Sequence, residues 1–181
     1  GGDVRFPDSA AAIVDDLVLA GFGNRLFAFE RRTGDVQWQS SFEASVNAPL
    51  AADRTGYITL TDTGSVVAFD PATGDGKWRQ DVGRWCPGPV AVANGTVYAV
   101  TTRENDTGSL VALDAATGTE QWTYGTGGEV DSAPVVVDGT VYVGSQDGTV
   151  YALDAASGTT RWTSDTGSGL DASLAVVDGT V

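Results

Sequence analysis

Few side chains in this 181-residue sequence are suited to covalent chemistry. There is no histidine, so a Ser-His-Asp arrangement cannot be assembled within these residues. The one thiol, Cys86, stands in the run Arg84, Trp85, Cys86, Pro87. Only Arg84 is near enough to lower its pKa, so an inert buried thiol is expected, and a lone cysteine forms no internal disulfide. The glycine-rich stretch 125–128 follows a tryptophan-bearing segment and opens no helix. It therefore reads as a loop, not a phosphate cradle. Asp131 and Asp171 occupy matching places in two loops, where they would cap turns or help hold a cation; no calcium-loop spacing of oxygens supports the latter. No catalytic residue and no metal site is expected here. The candidate contact site is the cluster Arg84, Trp85 and Cys86, which departs from the pattern of its neighbours.

The elements that must position these residues follow from an internal repeat. Four segments align without gaps: 28–38 (AFERRTGDVQW), 68–78 (AFDPATGDGKW), 112–122 (ALDAATGTEQW) and 152–162 (ALDAASGTTRW). Their tryptophans, Trp38, Trp78, Trp122 and Trp162, lie 40, 44 and 40 residues apart. A period near ~40 with several short strands per unit belongs to a propeller blade and not to a helical solenoid. In the cleanest unit, strands are expected at 134–137, 140–145, 149–154 and 159–164. The turns between them are Asp138-Gly139, Asp147-Gly148 and 155–158. Each unit is thus a four-stranded antiparallel meander, and no window carries a sustained 3.6-residue period. The third unit is longer by an insertion between Tyr98 and Leu110, at a loop tip where additions are tolerated and often functional.

Within the motif, Asp70, Asp114 and Asp154 end a strand, where a short carboxylate can accept backbone N–H groups two or three residues on. Gly34, Gly74, Gly118 and Gly158 stand where a positive φ is needed. Each tryptophan, four residues later, is placed to lie against the neighbouring repeat.

Composition narrows the partners. Asp and Glu number 24 against 10 Lys and Arg, a net charge of -14, and a single lysine, Lys77, is present. Phosphate backbones need a basic stripe, so nucleic acid is excluded as a partner. An Asp-rich, Lys-poor surface fits a halophilic protein, kept soluble by its charge while concentrated salt screens the self-repulsion; an ordinary acidic extracellular domain is the alternative. No run approaches the ~18 apolar residues of a membrane span. With no methionine anywhere, Gly1 is not expected to be an unprocessed start, and the chain is expected to be a fragment of a larger protein.

The four segments resemble the eleven-residue Trp-docking motif of the quinoprotein-like, or PQQ-like, β-propellers, and the BamB-like branch of that family. Glu30 replaces Asp in the first copy and Ser157 replaces Thr in the fourth, both keeping a turn-capable oxygen. The resemblance implies an all-β propeller of four-stranded antiparallel blades, in a ring of about eight. Four complete blades are expected at approximately 9–47, 48–88, 89–132 and 133–172, with the start of a fifth at 173–181, because 174–181 nearly repeats 134–141. The result would be an open part of a ring, its exposed faces needing a partner, a second copy or the missing blades.

Some members are quinone-dependent dehydrogenases holding PQQ and calcium at the ring centre under an adjacent cysteine pair; others are non-catalytic assembly propellers. This chain has no such pair, and no trio of Glu, Asn and Asp maps onto the metal ligands. The resemblance therefore implies a non-catalytic scaffold for protein or peptide partners, with no cofactor, outside the cytoplasm or on the cell surface and lipid-anchored through a missing N-terminus. The alternatives are a fragment of a PQQ and calcium dehydrogenase, or the sensor domain of a larger receptor or kinase. In the ring, the Arg84, Trp85, Cys86 cluster would contact a partner or merely plug one end of the channel. Two glycosylation sequons, at Asn94 and Asn105, favour a surface location, although Asn94 also suits a turn.

Overall fold

The computed structural model describes residues 11–47, 50–52, 54–102, 107–170 and 174–176. Among them, four separate four-stranded antiparallel sheets form and no helix does. The first sheet holds β1 (Ala12–Val14), β2 (Leu17–Phe22), β3 (Arg25–Glu30) and β4 (Val36–Ser41). The second holds β5 (Leu50–Ala52), β6 (Thr55–Leu60), β7 (Ser65–Phe69) and β8 (Gly76–Asp81). The third holds β9 (Ala91–Ala93), β10 (Thr96–Thr102), β11 (Gly108–Asp114) and β12 (Glu120–Gly125). The fourth holds β13 (Val135–Val137), β14 (Thr140–Gly144), β15 (Thr149–Asp154) and β16 (Thr160–Asp165), each within one residue of its expected ends. Spatial order follows chain order in every sheet, so each is an up-and-down meander.

Local chemistry explains the hairpins. Asn94-Gly95 and Asp138-Gly139 join first and second strands, and all four residues have positive φ, between 47° and 75°. That is the two-residue turn whose twist matches the flanking strands, and Asn, Asp and Gly are the residues that tolerate it. Each third strand meets its fourth with Ala opposite Trp: Ala28 and Trp38, Ala68 and Trp78, Ala112 and Trp122, Ala152 and Trp162. Immediately after each alanine the register shifts by a bulge, which bends and twists the outer hairpin.

The core lies between sheets. Along β6 and β7, Ile58, Leu60, Val67 and Phe69 pack with Leu19, Leu26 and Ala28 of the first sheet, while Tyr57, Val66 and Ala68 pack with Val97, Ala99, Val111 and Leu113 of the third. Along β10 and β11, the alternate side chains Tyr98, Val100, Leu110 and Ala112 join Val141, Val143 and Leu153 of the fourth. The two middle sheets are therefore buried on both faces, which is why their strands read as unbroken apolar runs and not as alternating ones. Each fully buried Leu contributes about 1.5 to 3 kcal/mol.

Among the described residues, three such inter-sheet cores join four sheets, and none joins the fourth to the first. The innermost strands lie side by side, β1 with β5 and β9 with β13. The stack is thus open, with propeller blades at both ends showing an uncovered face. Ile13 and Phe22 of the first sheet are 63% and 68% exposed, and Trp162 of the fourth is 41% exposed. Of the expected start of a further blade at 173–181, only 174–176 fall within the described residues.

Candidate functional site

The four motif turns share one geometry. The carboxylate of Asp114 accepts from the N–H groups of Ala116 and Thr117 and from the Thr117 hydroxyl. That of Asp154 does the same with Ala156 and Ser157. Asp70 accepts from Ala72 N–H, and Glu30, one methylene longer, reaches Arg32 and Thr33. Gly34, Gly74, Gly118 and Gly158 close these turns with φ between 69° and 79°. On the turn of the following sheet rests an indole: Trp38, Trp78 and Trp122 donate Nε1–H to the carbonyls of Pro71, Ala115 and Ala155 at 3.0 to 3.1 Å. A Cβ on Gly74, Gly118 or Gly158 would come within 2.7 to 2.8 Å of those rings. Gly34 has nothing within 4 Å of that position, and the Trp162 ring tilts against Tyr142 of its own sheet.

Asp154 has a further partner. Arg161, bonded to it at 2.8 Å, together with Ser157, holds its pKa down to about 2. Because the folded value lies below the ordinary one, whatever stability Asp154 supplies is complete above the usual carboxylate range and is lost as pH falls through about 2. A carboxylate-carbon NMR titration is expected to find its midpoint there, and Arg161→Ala should move that midpoint upward; an ordinary midpoint in the unmodified protein would contradict the assigned pairing.

The opposite end of the sheets carries a groove lined by Asp62, Arg84, Trp85, Thr102 and Glu129. Three sheets contribute. Asp62 sits in the β6–β7 turn, Arg84 and Trp85 in the loop that leads to β9, Thr102 at the end of β10, and Glu129 in the loop that leads to β13. Backbone bonds lock these loops in place: Arg84 N–H to Thr102 O at 3.0 Å, Thr102 N–H to Trp85 O at 2.9 Å, Cys86 N–H to Thr61 O at 3.1 Å, and Gln146 N–H to Glu129 O at 2.8 Å. Trp85 remains 37% exposed, although Val130, its counterpart in the next repeat, is fully buried. The Thr102 hydroxyl is buried and has no hydrogen-bond partner. Among the described residues no ion pair involves Asp62, Arg84 or Glu129.

The structure separates the cluster of Arg84, Trp85 and Cys86. The first two face solvent at the groove, whereas Cys86 is fully buried in the core between the second and third sheets, its carbonyl accepting from the Asn47 amide. Burial pushes the thiol up to about 12, against a smaller opposing pull from the Thr101 hydroxyl. The native protein is expected to resist iodoacetamide at about pH 8 and to be alkylated only on unfolding, as mass spectrometry would read; fast native labelling would mean an accessible thiolate.

Asn94 is an exposed turn residue with φ 50°. Asn105 and Asp171 lie outside the described residues. Asp131 accepts from the Gln146 amide through one oxygen, while its other oxygen is buried without a partner. Sequence reasoning did not single out Asp62, Thr102 or Glu129. They lie in the loops and strand end at that same end of the sheets, but no repeated residue type marks them.

The family model described as outer membrane protein assembly factor BamB matches residues 62–181. Among solved structures, the chain is similar to BamB from Moraxella catarrhalis, with a TM-score of 0.74 and 24% identity over 87% of this chain and 48% of that one. It is similar to the quinohemoprotein alcohol dehydrogenase from Pseudomonas putida HK5, with a TM-score of 0.77 and 18% identity over 91% of this chain and 36% of that one. For the enzyme of that name from Comamonas testosteroni, the TM-score is 0.75 and the identity 18%, over 92% and 36%. At these identities the likeness is one of fold, and the chain spans about half or less of those structures. No curated protein matches its sequence.

Among the described residues no side chains fit the quinone and calcium that the motif resemblance attaches to such enzymes. Among the described residues no three of Cys, Asp and Glu come together to hold a metal ion, and the one cysteine is buried between sheets.

Proposed function

This chain belongs to the family described as outer membrane protein assembly factor BamB, and we propose that it acts as a non-catalytic propeller scaffold that holds protein or peptide partners outside the cytoplasm. The observation that carries this reading is the groove at one end of the sheets. Among the described residues it combines a half-exposed indole with charged side chains that have no ion-pair partner, on hydrogen-bonded loops, and no nucleophile paired with a base. Binding residues on loops held by a stiff scaffold are how repeat folds take partners.

Further blades complete the ring. The uncovered Trp162 and the open turn at Gly34 are the two halves of the contact that Trp78 and Gly118 make inside the stack. The tryptophans, with Gly74, Gly118 and Gly158, are the docking elements. The blades run approximately 9–47, 48–88, 89–132 and 133–172. A net charge of -14 suits a halophilic, cell-surface protein, and a melting temperature that fails to rise towards molar salt would count against the halophilic part. Asn105 and Asn94 are the glycan acceptors under this reading, which an unmodified intact mass from the native host would remove.

The second reading, part of a quinone-dependent dehydrogenase, is favoured by the fold likeness to the two alcohol dehydrogenases. Adding PQQ and calcium to the full-length protein decides between them. No coloured complex and no dye reduction is the expected result; a stable coloured complex that reduces dye would refute a purely binding role.

A further inference from the structure

Deepening the scaffold reading and resting on it, we infer that the groove lined by Asp62, Trp85, Thr102 and Glu129 receives the cationic side chain of a lysine or arginine in a partner polypeptide, laid over the Trp85 indole between the two carboxylates.

Three observations converge on that chemistry. The repeat places Trp85 where the next unit buries Val130 completely, yet Trp85 is 37% exposed, so this ring is not a core filler and keeps surface for a ligand. The face of an indole is the most favourable aromatic surface for an ammonium or guanidinium. Asp62 and Glu129 reach the same groove from different loops, and neither carboxylate has an ion pair among the described residues. Thr102, only 6% exposed, lines the same groove, and its buried hydroxyl has no hydrogen-bond partner among the described residues. An unpartnered buried hydroxyl is costly, and a guanidinium or ammonium N–H would satisfy it once the groove lining moved to admit the contact.

The remaining charge, Arg84, decides the sign of the ligand. Among the described lining residues, two carboxylates against one guanidinium leave the groove negative, on a chain whose net charge is -14, so an anionic side chain would meet repulsion from both acids. Arg84 opposes the cation at the rim, which limits affinity for isolated basic residues and favours a partner that brings its own neighbouring carboxylate.

The test uses capped tripeptides, acetyl-Gly-Arg-Gly-amide and acetyl-Gly-Lys-Gly-amide, with acetyl-Gly-Glu-Gly-amide as the anionic control. They are titrated into the 15N-labelled protein in a salt at which it stays folded. The basic peptides are expected to shift the Trp85 indole N–H and the Thr102 amide saturably, while the acidic one does not. Trp85→Leu keeps bulk, as Leu170 does at the matching place, and is expected to weaken binding about three- to thirtyfold. Asp62→Asn with Glu129→Gln should weaken it, and Arg84→Ala should tighten it. Glu120→Gln with Asp138→Asn, at the opposite end of the sheets, should change it less than about twofold, the expectation for charges beyond a Debye length.

Saturable binding of the acidic peptide, abolished by Arg84→Ala, would overturn the inference, as would Trp85→Leu leaving affinity unchanged. Peptide shifts confined to another face overturn the groove while leaving the scaffold reading standing; a protein that binds quinone and no peptide overturns both.

Discussion

Trp122→Ala is expected to lower the unfolding free energy by about 3 to 5 kcal/mol, and Trp162→Ala by about 1 kcal/mol or less. The two residues share a motif position and a strand position, third in β12 and third in β16. They differ in what lies opposite. Trp122 packs against the core shared by the third and fourth sheets, donates to Ala155 O at 3.1 Å, covers Gly158 and tilts against Tyr98. Its removal opens a void between blades and takes from the Ala155 carbonyl one of its two side-chain donors, the other being the Tyr98 hydroxyl at 2.9 Å. Trp162, at 41% exposure, rests on no motif turn among the described residues. Denaturant unfolding of both variants checks this, and Trp78→Ala should behave like Trp122→Ala. Equal losses at Trp122 and Trp162 would show that the indoles stabilise their own sheets and do not dock one sheet to the next. If further blades are added after the fourth, the cost of Trp162→Ala should rise to the Trp122 level.

The second large effect belongs to glycine. Gly118→Ala is expected to cost about 3 kcal/mol and Gly34→Ala about 1 kcal/mol, although the two have nearly the same φ, 75° and 79°. Both variants suffer the strain of a Cβ in the left-handed region, which is about 1 kcal/mol. At Gly34 that is all, since nothing lies within 4 Å of the added carbon. At Gly118 the carbon would sit 2.7 Å from the Trp78 ring, so the indole must move off the turn and give up its bond to Ala115 O. A double-mutant cycle isolates the steric part: in the Trp78→Ala background, Gly118→Ala should fall to about the Gly34→Ala value. Additive losses would mean that the glycine is needed for its backbone angle only.

Much of this architecture was legible in the linear pattern. Asp138-Gly139 and Asn94-Gly95 announced tight hairpins because few residues tolerate two successive positive φ values, and both are found there. The strand ends at 140 and 149–154 follow from turn residues that interrupt short apolar runs. The groove was less legible. Arg84, Trp85 and Cys86 are consecutive, and a sequence cannot tell that the first two reach solvent while the third enters the core; that depends on the pairing of Trp85 with Thr102, 17 residues on. Nor could it bring Asp62 and Glu129 to one place, since they are separated by a whole blade.

The order of amino acids dictated the repeat, the strand and turn boundaries and the places of the motif carboxylates and glycines, because these rest on interactions between residues close along the chain or on a backbone angle that one residue type alone reaches cheaply. Which indole meets which turn, which thiol is sealed away and which charges share a groove were settled by the packing of one sheet on the next. Those relations join residues some 30 to 60 apart, as in Trp38 with Pro71 and Tyr98 with Ala155, and they come into being when apolar faces are withdrawn from water together.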